Sequence, residues 1–291
     1  MVAASRVLAE IETLDPQRDC ARIVFLSTCY DFPWDVVKAL DIATFRVVGV
    51  PSISGLMERT GEFVERPQKR YDDTLLILAE LLESGYDSER GRTAQRRMNR
   101  LHHQFEINND DYLYVFASNV MEPIKWNRRF GWRLYTEKEK LAFFHLWGTI
   151  ARRMAIKDVP ATLADVESYH ADFERRRLRF APSNLAIAHA TREMFAGWYP
   201  RPMRPMIRSV VTALVEDEVL DAFGFERPSR LVRSLVNTSL RLRARVLRIL
   251  PRRKTPRVVT ARRHRSYPNG YRVEELGAVP PPWLSASKPP Y

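Results

Sequence analysis

The sequence predicts an all-α fold. Three observations lead there: apolar residues recur at three- to four-residue spacing through most long segments, helix start and stop residues flank those segments, and the few strand-like runs are short. From Tyr71 the run Asp-Asp-Thr-Leu-Leu-Ile-Leu-Ala-Glu-Leu-Leu-Glu-Ser-Gly reads as a buried helix, opened by an Asp or Thr cap and stopped at Gly85. The next helix spans about Ser88 to Phe105. Thr136-Glu-Lys-Glu is a capping box before the run Lys140 to Met154, and Thr162 caps the helix after Pro160. The segments Asn184 to Phe195 and Met206 to Phe223 complete the set. Arg22-Ile-Val-Phe-Leu-Ser and Arg46-Val-Val-Gly-Val are weak strand signals that fit pieces of helix equally well. In Met121-Glu-Pro-Ile-Lys-Trp-Asn-Arg-Arg-Phe-Gly-Trp-Arg, a helix broken by Pro123 is expected, then a loop held to the core by Trp126, Phe130 and Trp132, or else the wall of a pocket.

Proline punctuation sets the organisation. Pro200-Arg-Pro-Met-Arg-Pro interrupts the chain, and Phe225-Glu-Arg-Pro ends its compact part. The expected units are a helical domain over 15–225, a basic amphipathic helix over 226–250 and a tail over 251–291. The tail carries Pro251, Pro256, Pro268, Pro280, Pro281, Pro282, Pro289 and Pro290, and is expected to be extended, partly packed back and partly loose.

At 291 residues, 45% of them hydrophobic, the chain can bury a sizeable core. Cys20 and Cys29 are too few for a disulfide scaffold and lack CxxC spacing, which points to a reducing, cytoplasmic setting. No apolar run approaches the roughly 18 to 20 residues that span a bilayer, and the acidic start does not read as a signal peptide. A soluble protein, free or peripheral to a membrane, is expected. The net charge of +12 is local: Arg227 to Arg265 holds 14 of the 47 Lys and Arg and no Asp or Glu, leaving 33 bases against 35 acids elsewhere. No Gly-rich phosphate-binding motif is present.

The residues with the sharpest chemical implication are the adjacent histidines. On a helical wheel Ala94, Met98, Leu101 and Phe105 form one apolar stripe; His102 lies beside it and His103 on the polar face. An inward imidazole needs a partner, either a backbone carbonyl in the core or a metal such as haem iron. Arg96, Arg97 and Arg100 surround it, as haem propionates or simple solubility would require. Glu167-x-x-His170 has di-iron spacing but no second copy, and is read as a solvated helix face. His145, among Phe143, Phe144 and Trp147, reads as a core histidine.

Three segments in order, Arg59-Thr-Gly-Glu-Phe, Arg97 to His102, and Ile156-Lys-Asp-Val-Pro-Ala-Thr-Leu-Ala-Asp-Val-Glu-Ser-Tyr, resemble the family of MpaB oxygenases and latex-clearing rubber oxygenases, with similarity from about Ile23 to about Phe225. The resemblance implies a distantly globin-like helical core holding haem b, with His102 as the proximal iron ligand and Arg97 and Arg100 as cofactor-side cations. It implies oxidation by O₂ of a hydrophobic substrate, an unsaturated lipid or isoprenoid among the candidates. Thr60 takes the place of a distal hydrogen-bond donor and Arg59 that of a distal or propionate-side cation. Two departures stand out: the distal Arg-x-x-Lys-Thr pattern of rubber oxygenases falls here on Leu56, Arg59 and Thr60, and Phe116 replaces a histidine that many relatives carry. They keep a second reading open, a non-catalytic haem- or lipid-binding helical module at a membrane surface.

The last segment, Ser229 to Leu250, alternates apolar residues with Arg230, Arg233, Arg241, Arg243, Arg245 and Arg248 at helical intervals. It fits either a helix laid on the domain or one lying on an anionic membrane surface through 227–265. Nucleic acid is the weaker partner, because stacking aromatics are absent from the segment.

Overall fold

The computed structural model describes residues 6–278, and the expectation for the tail prolines beyond them lies outside the described residues. Among the described residues there are fourteen α-helices and no strand. They are α1 (Arg6–Thr13), α2 (Cys20–Leu26), α3 (Pro33–Val47), α4 (Pro51–Thr60), α5 (Glu62–Glu65), α6 (Pro67–Glu83), α7 (Glu89–His102), α8 (Asn109–Phe130), α9 (Glu137–Arg153), α10 (Leu163–Arg177), α11 (Pro182–Gly197), α12 (Arg204–Ala213), α13 (Asp217–Phe223) and α14 (Arg230–Ile249).

Local chemistry explains most boundaries. Pro33, Pro51, Pro67, Pro182 and Pro205 stand in the first turns of their helices, where no N–H is needed and φ is already set. Ser88, Asn108 and Ser229 cap α7, α8 and α14 by accepting from N–H groups of the first turn. Thr136 with Glu139, and Thr162 with Asp165, form reciprocal capping boxes. Neither strand-like run is a strand: Arg22 to Leu26 lies in α2, while Arg46 and Val47 end α3 and Val48 to Val50 turn into α4.

Two expected helix boundaries are corrected. α8 runs unbroken through Pro123, because the helix is buried over most of its 22 residues and packing outweighs one lost hydrogen bond. The segment Met206 to Phe223 is two helices, not one. The chain turns at Leu214 to Glu216, and Val215 and the Glu216 carboxylate are drawn inward.

The Glu216 carboxylate belongs to an ion network centred on the buried Arg46 of α3, a residue 6% exposed. The Arg46 guanidinium donates to both oxygens of Glu174 on α10 and, at 2.5 Å, to Glu216 before α13; Glu122 of α8 lies 3.8 Å away. Tyr114 of α8 donates to Glu174 at 2.7 Å, and Lys125 approaches Glu122 at 3.1 Å. Burial alone would weaken the guanidinium's hold on its proton, but Glu122, Glu174 and Glu216 raise its pKa instead. His170 is buried here at 2% exposure, which corrects its reading as part of a solvated face, while Glu167 points to solvent. Burial pushes the His170 pKa down to about 3.

A second lock closes the turn after α8. Arg133 reaches Asp31 at 2.6 Å and Glu139 at 2.7 Å, and Trp126, Phe130 and Trp132 are buried as the anchoring reading required. The chain after α14 then straps back along α6. Glu83 accepts from the Thr260 hydroxyl at 2.7 Å, Asp72 from the Ser266 N–H at 2.8 Å and Glu80 from the Tyr271 hydroxyl at 2.6 Å; Tyr267 donates to Asp73. The partly packed tail is therefore a ladder of hydrogen bonds to α6 carboxylates.

Replacing Arg46 with Met removes the cation that Glu122, Glu174 and Glu216 share and leaves the buried Glu174 without its charge partner, and is expected to destabilise the fold by about 3–5 kcal/mol, read from denaturant unfolding. Because the folded-state pKa of His170 lies below its ordinary value of 6.5, the unfolded chain takes up the proton first as pH falls. Stability is therefore expected to decline by about 1.4 kcal/mol per pH unit below that value from this group, and the His170→Phe variant should show a shallower pH dependence over the same window.

Candidate functional site

A cavity of about 540 Å³ lies between the helices, within the range of small-molecule and cofactor sites. Four helix faces make its walls, each with the spacing of a single side of a helix. They are Ile53, Leu56, Met57 and Thr60 of α4; Arg70, Thr74, Ile77 and Leu78 of α6; Met98, Leu101 and His102 of α7; and Tyr112, Val115 and Phe116 of α8. Trp147 and Ile150 of α9 and Ala43 and Val47 of α3 complete it, and Gly277 and Ala278 of the strap lie at its edge.

His102 lines this cavity and His103 is exposed, as the helical wheel requires. The Nδ1 of His102 lies 2.8 Å from the Met98 carbonyl, which can only accept, so Nδ1 carries the hydrogen and Nε2 keeps its lone pair. Burial lowers the imidazole's pKa against the opposing pull of the Met98 bond, and the neighbouring Arg70 and His103 lower it further. The ring is thus held neutral, and its orientation is fixed by its own helix. A neutral imidazole with one nitrogen tied and the other free is the form that ligates a metal.

Thr60 and Arg59 both line the cavity, so the structure brings the two α4 candidates and His102 to one space. The Thr60 hydroxyl directs its hydrogen to the Met57 carbonyl at 2.7 Å, leaving its lone pairs to the cavity. Arg59 is largely exposed at the rim, with a guanidinium nitrogen near Gly55 one turn back. Arg97 and Arg100 do not reach the cavity. Arg97 donates to the Leu276 carbonyl of the strap at 2.6 Å, and Arg100 is exposed.

The cavity cation that sequence reading missed is Arg70. It donates to Thr74 and lies 5.0 Å from the Phe63 ring centre, with no carboxylate in ion-pair contact among the described residues. Burial lowers its pKa, with Asp73 and Glu62 opposing. A helix begun at Tyr71 leaves Arg70 outside; Pro67, a helix-opening residue four positions earlier, was the signal that places it on the inward face. Phe116 and Leu56 also line the cavity, so both departures from the rubber oxygenase pattern change its wall directly.

The residues present fit a haem. A bare ion has no ready site, since no group of three or more His, Cys, Asp or Glu among the described residues is placed to hold one, whereas an iron already chelated by a macrocycle needs one neutral imidazole. Apolar walls, His102 and an unpaired guanidinium at Arg70 meet that need. Two buried polar atoms on lining residues, Trp147 Nε1 and Ser118 Oγ, have no hydrogen-bond partner among the described residues, as expected where a bound molecule or water completes the set.

An all-helical domain built around an apolar cavity, with a neutral histidine on one wall and arginines at its margin, defines a cofactor- or ligand-binding domain. Its sequence matches the family described as ER-bound oxygenase mpaB/B′/rubber oxygenase, catalytic domain, over residues 44–249, and the chain belongs to that family. Among curated proteins it is similar to ER-bound oxygenase mpaB′ of Penicillium brevicompactum, 26% identical over 239 residues that cover 76% of this chain and 56% of the relative. It is also similar to ER-bound oxygenase mpaB of the same fungus, 27% identical over 63% of this chain and 52% of the relative. ER-bound oxygenase mpaB of Penicillium roqueforti (strain FM164) is 32% identical over 43% and 44%. The chain spans about half the length of these relatives.

The strap generates a test of how the cavity is closed. Gly277 has φ +95°, and a Cβ there would sit 2.3 Å from a Leu101 methyl. Gly277→Ala is therefore expected to loosen the end of the strap beside the cavity, accelerating limited proteolysis between about residues 265 and 278 while far-UV circular dichroism stays unchanged.

Proposed function

We propose that this protein is a haem-b-dependent oxygenase that uses O₂ on a hydrophobic, unsaturated lipid or isoprenoid substrate. The observation that carries the reading is His102: a neutral imidazole, tied back through Nδ1 and free at Nε2, on the wall of an apolar cavity. Family membership supports the oxygenase class, and the resemblance to rubber oxygenases supports haem and a distantly globin-like core. A bound haem supplies the O₂ and electron-transfer chemistry. His102 would hold its iron, and Arg70, with Arg59 at the rim, would meet its propionates.

The remaining roles belong to the chain. Leu56, Met57, Val115 and Phe116 exclude water and leave room for an apolar chain. Thr60 presents lone pairs while its hydroxyl donates to the Met57 carbonyl, and a rotation about the Cβ–Oγ1 bond would turn that hydrogen into the cavity as a donor. A lipid-dissolved substrate suits a protein peripheral to a membrane, and the names of the relatives as ER-bound support such a setting. An anionic membrane surface met through 227–265 is part of the same proposal.

The second reading, a non-catalytic haem or lipid carrier, is favoured by Leu56 and Phe116, which replace polar residues of the family pattern on the cavity wall. Two measurements decide. Protein loaded with haem is expected to show a Soret band that His102→Ala abolishes and His103→Ala retains; the reverse result, or no band in the parent protein, removes the haem reading. The reduced, loaded protein is then expected to consume O₂ with unsaturated lipids or isoprenoids, and stable oxygen binding without turnover across the panel would favour the carrier.

A further inference from the structure

α14 has two opposite apolar faces, and only one is covered. Inward, Leu240 packs on Trp126 and Phe130, and Ala244 and Leu247 join the main core. The inward arginines are paired: Arg233 reaches Asp217 at 2.6 Å, and Arg243 reaches Asp35 at 2.9 Å while lying over the Trp34 ring. On the far side Leu231, Leu235, Leu242, Val246 and Ile249 form one stripe with exposures of 69%, 58%, 57%, 45% and 83%. Their spacing of four, seven, four and three residues keeps them on a single line along the helix.

Four arginines run beside that stripe. Arg230, Arg241, Arg245 and Arg248 are exposed and cluster on one flank at about 100° per residue, with no carboxylate in ion-pair contact among the described residues. Arg253 and Lys254 follow at the same end. No helix among the described residues is long and apolar enough to cross a membrane, so α14 is not a span. A continuous apolar line edged by unneutralised cations is complementary to one surface above others: a bilayer with anionic headgroups, where the aliphatic side chains enter the acyl boundary and the guanidiniums remain at the phosphates.

We propose that the outward face of α14 docks the protein on an anionic lipid bilayer, lying in the plane of the interface. The proposal deepens the membrane part of the proposed function by naming the face and the residues, and it does not require haem. A second copy of the chain fits less well, because two such flanks would set unpaired arginines near one another. Nucleic acid would leave the aliphatic stripe in water and finds no aromatic stacking residue on the helix.

The test uses the full chain without added haem. Sedimentation with vesicles of phosphatidylcholine alone and of phosphatidylcholine with phosphatidylserine is expected to show binding to the second only, weakening as salt rises. The variant L235E/L242E, exposed on the surface and therefore expected to fold, should bind the anionic vesicles roughly tenfold more weakly. The variant R241Q/R245Q/R248Q should lose most of the preference for anionic lipid, with the circular dichroism of both variants unchanged. Equal vesicle binding by both variants and the parent would overturn the inference. So would a dimer in solution that Leu242→Glu dissociates, or tighter binding to a duplex oligonucleotide than to anionic vesicles. Absence of binding to anionic vesicles by the parent chain, beside an intact Soret band on haem loading, would reject the docking face and leave the oxygenase reading standing.

Discussion

A guanidinium cannot shed its proton to escape burial, so the chain around Arg46 has to bring carboxylates to it. Glu122, Glu174 and Glu216 do so from α8, α10 and the turn before α13, segments spread over 170 residues of sequence from Arg46 itself. A charge that must be matched at fixed distances sets the mutual position of these helices more narrowly than apolar contact would. The same α3 that presents Arg46 contributes Ala43 and Val47 to the cavity wall. The ion network and the cavity therefore share one helix, and the first holds part of the second in place.

The charges of this molecule divide into those that are answered and those that are not. Arg46, Arg133 and Arg243 each meet carboxylates and act as fasteners between helices. Arg70 at the cavity and the outward arginines of α14 meet none, and these lie where a ligand or a surface would sit. In a chain with 47 basic residues, pairing is more informative than number, and the pairing is a property of the fold.

Much of this was legible in the sequence, and the failures have physical causes. Caps and periodicity gave α7, α9, α10 and α14 because those signals are local, and they placed His102 inward and His103 outward. Pro123 misled because a proline's cost is local while the burial that offsets it is not. His170 was assigned to solvent because its partners Glu174, Lys125 and Arg46 converge only in three dimensions. Arg70 was missed for want of one turn at the start of α6. Arg97 could not be read, since its partner is the carbonyl of Leu276, 179 positions away. The two α4 candidates drawn from the likeness to rubber oxygenases line the same cavity as His102, but a short motif says nothing of which atom a hydroxyl hydrogen faces.

The strap along α6 also orders events in time. Gly277 and Ala278 edge a cavity whose other lining residues all lie at or before Ile156, so more than a hundred residues of chain separate its last side from the rest of its lining. A nascent chain synthesised from its N-terminus would hold His102 and its surroundings for that interval with one edge of the chamber still unbuilt.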